Sequence, residues 1–242
     1  MRHASALLMS LGAAGLVAAA TLTAQAQTAP SQTAASVLAE MEQRTSLKPA
    51  ASFNKIADKN ARSVALFQEA GKVITHPRCA NCHPVDHPTQ ADDRHPHMPV
   101  VSRGEDGHGA GLHCASCHTA KNVWVGGTHI VTIPGNPKWA LAPASMAWQG
   151  KSLGEICAQL KDPARNGGKT LAQIQQHMAS DELVAWGWNP GLGRTPAPGT
   201  QAQLGDLIQA WIDTGAKCPA GGGVKVPSHD LKADTPTMKP AV

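Results

Sequence analysis

Apolar and polar positions along this chain sort it into four stretches of different character. The first is a nearly unbroken apolar run from about Ala4 to Leu22, behind Arg2 and His3 and followed by "TAQAQ". Short amphipathic segments come next. Ser36 to Arg44 places Val37, Leu38 and Met41 on one side. Asn60 to Val73 carries a stripe of Val64, Leu66, Phe67 and Ala70, with Gly71 expected to weaken its end. Residues 84 to 111 have no helical or strand period, and four prolines and four glycines interrupt them. They read as a long irregular loop, a length that compact domains rarely tolerate without a use for it. One or two short strands are expected around 129 to 133.

From Ser152 the helical period returns. Ser152 with Glu155 three residues on has the spacing of a capping box and opens a helix to about Leu160. Thr170 caps a second helix to about Met178, and Asp181 opens the short turn "DELVAWGW". Thr200 caps a last helix, Gln201 to Asp213, with Leu204, Leu207, Ile208, Trp211 and Ile212 apolar and Gly215 beyond its end. The fold class expected is mainly α with long irregular loops. The division expected is 1-26 signal peptide, 27-150 motif-bearing region, 151-219 helical region, and 220-242 flexible tail.

The leading run changes how the rest is read. A positive start, a short apolar core and Ala24-Gln25-Ala26 make a secretory signal peptide cut before Gln27. It is barely long enough to span a bilayer, and no charged stop follows it. The expectation is a periplasmic or otherwise exported protein with no membrane span after cleavage. Outside the cytoplasm, unprotected cysteines oxidise. Of the six cysteines, Cys157 and Cys218 stand near the ends of helical segments and are expected to form a disulfide.

The other four are Cys79, Cys82, Cys114 and Cys117, in "HPRCANCHP" and "LHCASCHTA". Each pair is three apart and followed at once by a histidine, His83 and His118. Two thiols at this spacing can bond the two vinyl groups of one haem, with the histidine beneath the iron. A thiol redox pair would need one motif in an α/β setting. A single four-cysteine zinc site is the stronger rival, but it has no need of the two histidines. The 242 residues include no tyrosine and only two phenylalanines, against 23 glycines and 18 prolines. Such a chain is short of apolar bulk, which a large cofactor would supply. Tryptophans 124, 139, 148, 186, 188 and 211 are read as pocket and core residues. The net charge of +4 is too weak and dispersed for nucleic acid.

With these motifs the chain resembles the dihaem c-type cytochromes. "LFQEAGKVITHPRCANCHP" looks like the approach helix and haem motif of that group. "PKWALAPASMAWQG", "LKDPARNGG", "HMASDELVAWGW" and "TQAQLGDLIQAWIDTGAKCP" are similar to exported cytochromes, some labelled as isoquinoline 1-oxidoreductase subunits. The resemblance implies cytochrome c-like helices wrapped around two covalently bound haem c groups. Cys79 and Cys82 would hold the first with His83 on its iron, and Cys114 and Cys117 the second with His118. It implies redox protein partners, among them a molybdenum hydroxylase-type dehydrogenase.

The ligand opposite each histidine is open in the sequence. His97, expected for the first haem, Met146 and His177 are the leading candidates. His87 and His113 are too near their own motifs but could serve the other, and His95, Met98, His108 and His129 remain. The function expected is electron transfer between a dehydrogenase and a respiratory acceptor. A peroxidase-type haem oxidoreductase with one open iron is the alternative, and a zinc-binding structural module ranks below it.

Overall fold

The computed structural model describes residues 45–90, 95–104, 113–127 and 131–227. The expected signal peptide, the helix at 36–44, His108, His129 and the chain after 227 lie outside these residues. Helix dominates, with two small two-stranded antiparallel pairings beside it. The helices are α1 (Lys59–Ile74), α2 (Pro77–Ala80), α3 (Leu153–Leu160), α4 (Leu171–Ser180), α5 (Glu182–Ala185) and α6 (Gln201–Asp213). Strand β1 (Thr89–Gln90) pairs with β2 (His95–Pro96), and β3 (Val123–Trp124) with β4 (Thr132–Ile133). Among the described residues no helix is long and apolar enough to cross a membrane.

Local signals place the helix starts. Ser152–Glu155, Thr170–Gln173 and Thr200–Gln203 each form a full capping box, satisfying amide donors that the first turn leaves unpaired. Asp181 caps α5 by accepting from Leu183 and Val184.

Packing departs from the sequence reading in three places. First, α1 and α6 lie against each other, and Phe67 and Trp211 meet with ring centroids 4.8 Å apart. Ser63 Oγ donates to the Trp211 carbonyl at 3.2 Å and accepts from Lys217 N at 2.9 Å. The regions 27-150 and 151-219 therefore share one core, because the apolar stripe of α1 is buried by a helix nearly 150 residues downstream. Second, α1 runs past its expected end at Val73, with Gly71 packed inside it. The helix continues to Ile74, and a Cβ at Gly71 would lie 2.5 Å from Leu153 Cδ2. The missing side chain makes room for α3. Third, the expected flexible tail does not begin at 220. Ser152 pairs with Lys225, Val226 exchanges main-chain bonds with Gly150 and Lys151, and its side chain is 2% exposed.

Cys157 and Cys218 form the expected disulfide, joining α3 to the chain just past α6. The long loop is partly ordered, since β1 and β2 form within it. Arg103 also ties it down, donating to the carbonyls of Pro84, Val85 and Ala142.

Candidate functional site

Helix α1 delivers the first motif. After Thr75, His76 Nδ1 accepts from Arg78 N and opens the single-turn α2, with Pro77 at its first position. Cys79 sits on this turn, and the bonds Cys82 N to Cys79 O and His83 N to Ala80 O continue it. A helical turn sets residues three apart on one side, so both thiols face the same way. The second motif repeats this construction in a tighter form. Cys114–Ser116 is a 3-10 turn, and His118 N donates back to Cys114 O at 2.8 Å.

What surrounds the two histidines is also repeated. His83 Nδ1 is 2.8 Å from the Met146 carbonyl oxygen, and His118 Nδ1 is 2.8 Å from that of Pro134. A carbonyl can only accept, so each Nδ1 carries the proton and each Nε2 keeps its lone pair. Holding a metal-binding imidazole by its other nitrogen fixes ring orientation. An indole then lies against each ring: Trp148 on His83 at 3.5 Å between centroids and 5° between planes, and Trp139 on His118 at 4.7 Å and 19°.

Burial is the main cause holding both imidazoles in the neutral, ligating form. It lowers the pKa of His83 to about 4; the Met146 carbonyl opposes this, and the charges of His177 and Arg103 add to it. It lowers that of His118 as well, against the Pro134 carbonyl and with His97 and Arg194 assisting.

The segment after the second motif closes over the first. Ala142 N donates to Cys82 O and Trp148 N to His83 O. The first motif is thereby sunk into the core cluster through Cys79 and Ala80, whereas Cys117 is exposed. A cleft of about 530 Å³ opens beside His118, lined in part by Ala115, Asn136 and Trp139. Between the motifs stands the Trp186–Trp188 turn. Trp186 meets Trp139 edge-on at 4.9 Å, lies 5.8 Å from the Arg78 guanidinium, and donates from Nε1 to Asn122 at 2.9 Å.

Of the residues put forward as facing an iron, His97 stands beside His118 of the second motif, with centroids 5.9 Å apart. It was expected at the first. The hairpin β1–β2 carries it across, anchored where Thr89 Oγ1 donates to Asn81 inside the first motif. Met146 is buried, but its carbonyl holds His83 Nδ1, so its backbone is behind the ring, on the side away from Nε2. His177 is on α4, 3.4 Å from the Asp181 carboxylate and near enough for its charge to act on His83.

Four thiols remain unbridged while Cys157 and Cys218 are joined. Among the described residues no three His, Cys, Asp or Glu side chains converge as a metal cage. Nor does the first Cys pair resemble a reactive thiol pair, which needs a lowered pKa. Burial, with the neighbouring Cys82 charge adding, pushes Cys79 up to about 12, and burial pushes Cys82 up to about 11. A haem asks less of the protein than a zinc cage: two thiols, one neutral imidazole and a dry apolar wall. At the first motif the residues present fit that demand; the second supplies the two thiols and the imidazole, with Cys117 exposed and an open cleft beside His118. In addition, the buried Trp148 Nε1 has no hydrogen-bond partner among the described residues, a donor that a haem carboxylate could satisfy.

The sequence missed the roles of Met146 and Pro134 as carbonyl donors of orientation, since any residue can supply a carbonyl. It also missed Arg103, whose only signal was its place in the long loop. No family model matches this sequence, and no curated protein or solved structure matches it.

Proposed function

We propose that this chain is a dihaem c-type cytochrome that carries single electrons between redox proteins. The observation that carries the reading is the duplicated setting of His83 and His118. Each follows a Cys-x-x-Cys turn, holds its Nδ1 on a backbone carbonyl at 2.8 Å, and lies against an indole. A chance metal or thiol motif has no reason to carry the same support twice.

Attachment needs no oxidant. Cys79 with Cys82, and Cys114 with Cys117, would each hold one haem by adding their thiols across its two vinyl double bonds: each S–C bond would form as a C–C π bond breaks, the thiol proton passing to the other vinyl carbon. Haem supplies reversible one-electron exchange at its iron. The residues of this chain hold and insulate it. His83 and His118 present Nε2, the carbonyls of Met146 and Pro134 keep each ring in one tautomer, and Trp148 and Trp139 exclude water from the ring faces. The second motif, with Cys117 exposed, is the natural contact for a protein donor or acceptor, and the first is the sheltered one. Exported location and a dehydrogenase partner of molybdenum hydroxylase type belong to the same reading.

The test is a pyridine haemochrome assay on protein matured in a host that attaches haem c. Two covalent haems per chain are expected, and one after C114A/C117A. Zero in the unaltered protein would overturn the reading. Peroxide turnover by the loaded protein would favour a peroxidase over a carrier.

A further inference from the structure

We propose that His97 is the second axial ligand of the iron at the second motif, so that this iron is held between two histidines contributed by different motif segments. The inference rests on the haem reading above, and its test separates the two.

Three observations converge. The rings of His97 and His118 have centroids 5.9 Å apart and planes inclined by 61°, an edge-on approach rather than a stack. Two imidazoles that bind one metal from opposite sides at about 2 Å through Nε2 have centroids about 6 Å apart, and the observed separation matches that span.

Second, His97 is oriented as His118 is. Its Nδ1 is 2.8 Å from the Pro99 carbonyl oxygen, so Nδ1 carries the proton and Nε2 keeps the lone pair. The same support on the partner ring, from Pro134 at 2.8 Å, leaves each Nε2 on the side of its ring away from the carbonyl that holds Nδ1.

Third, the backbone around His97 is built. His97 N donates to Pro88 O at 3.0 Å at the end of the β1–β2 pairing. The base of that hairpin is fixed to Asn81 by Thr89 at 2.8 Å, and Arg103 N donates to Asp86 O at 2.9 Å. The loop following the first motif is thus folded so that it reaches the second. His95, two residues earlier, has its Nε2 2.9 Å from the Gln90 amide nitrogen and is already engaged.

The assignment also gives the loop at 84–111 its use. Folding of one motif's loop would complete the other motif's coordination.

The experiment uses the full, haem-loaded protein. H97A should leave two covalent haems per chain by the pyridine assay. Optical and electron paramagnetic resonance spectra should show one of the two irons converted from low spin to high spin, with added imidazole restoring it. H97M should leave both irons low spin and raise one of the two midpoint potentials, since methionine ligation raises haem potential relative to histidine. In C79A/C82A, which keeps only the second attachment pair, H97A should convert the sole iron. Spectra and potentials unchanged by both substitutions, with two haems still attached, would overturn the His97 assignment alone. Conversion of the first iron instead would also overturn it. Absence of haem from the unaltered protein would overturn the cytochrome reading itself.

Discussion

The Cys157–Cys218 bridge gives a stability prediction whose size follows from the chain. Its partners are 61 residues apart, and α4, α5 and the whole of α6 lie inside the loop. Closing a loop of that length removes unfolded-state entropy worth roughly 4 kcal/mol. That is a large share of the 5–15 kcal/mol, approximately, that a domain usually holds. Cys157 is wholly buried, so alanine rather than serine is the right replacement at both ends. With a urea slope of about 2 kcal/mol/M, C157A/C218A should unfold about 2 M urea earlier than the unaltered protein, by far-ultraviolet circular dichroism. On the dihaem reading proposed above the haem count should stay at two, because neither cysteine belongs to a Cys-x-x-Cys-His motif. A thiol reductant should produce the same shift in the unaltered protein, since thioether bonds to haem are not reducible and only one bridge is open to attack. A midpoint within about 0.5 M of the original, or two titratable thiols in the untreated protein beyond the motif cysteines, would refute the reasoning.

Other outcomes follow from single contacts. Gly154→Ala would place a Cβ 2.6 Å from the Pro219 carbonyl oxygen and 2.9 Å from that of Ala220; these are backbone atoms, so a loss of about 1–3 kcal/mol in thermal unfolding is expected, and an unchanged melting temperature would count against the placement of that segment. Trp148→Ala removes a buried indole stacked on His83 and should cost about 3–5 kcal/mol, with the spectrum of one haem altered and the other retained; equal change at both haems would contradict the separation of the two pockets. Ser152→Ala deletes the acceptor for Glu155 N and should cost about 1 kcal/mol by urea titration. Asp181 has a lowered pKa: burial raises it, but the Leu183 and Val184 amides and His177 together outweigh that. Its stabilisation is complete above the unfolded value of about 3.9 and fades as pH falls through the lower folded value. Asp181→Asn should therefore flatten the acid limb of stability against pH and converge with the unaltered protein at low pH; parallel curves would show that the carboxylate does not contribute.

Some of this was legible residue by residue. The three capping boxes, the apolar faces of α1 and α6 and the pairing of Cys157 with Cys218 rest on local spacing or on simple counting. Helix ends and leftover cysteines carry that information in a few neighbouring positions. The Cys-x-x-Cys-His repeats are of the same kind, since thioether spacing is a property of five consecutive residues.

Other features could not be read in that way. Gly71 looks like a weak point near the end of α1 until Leu153 is seen filling its place. Residues 224–226 look like tail until Lys225 pairs with Ser152. The carbonyls of Met146 and Pro134 carry no side-chain signature, and Met146 drew notice for a thioether when its backbone oxygen is what touches His83. His97, expected at the first motif, is carried by the β1–β2 hairpin to the second. The amino-acid sequence by itself determined which residues can bond and cap, because those chemistries depend on identity and short spacing. Only the tertiary structure decided which of twelve histidines stand within reach of one another. Distances between segments are set by loop closure and core packing, and neither is written in any local stretch of the chain.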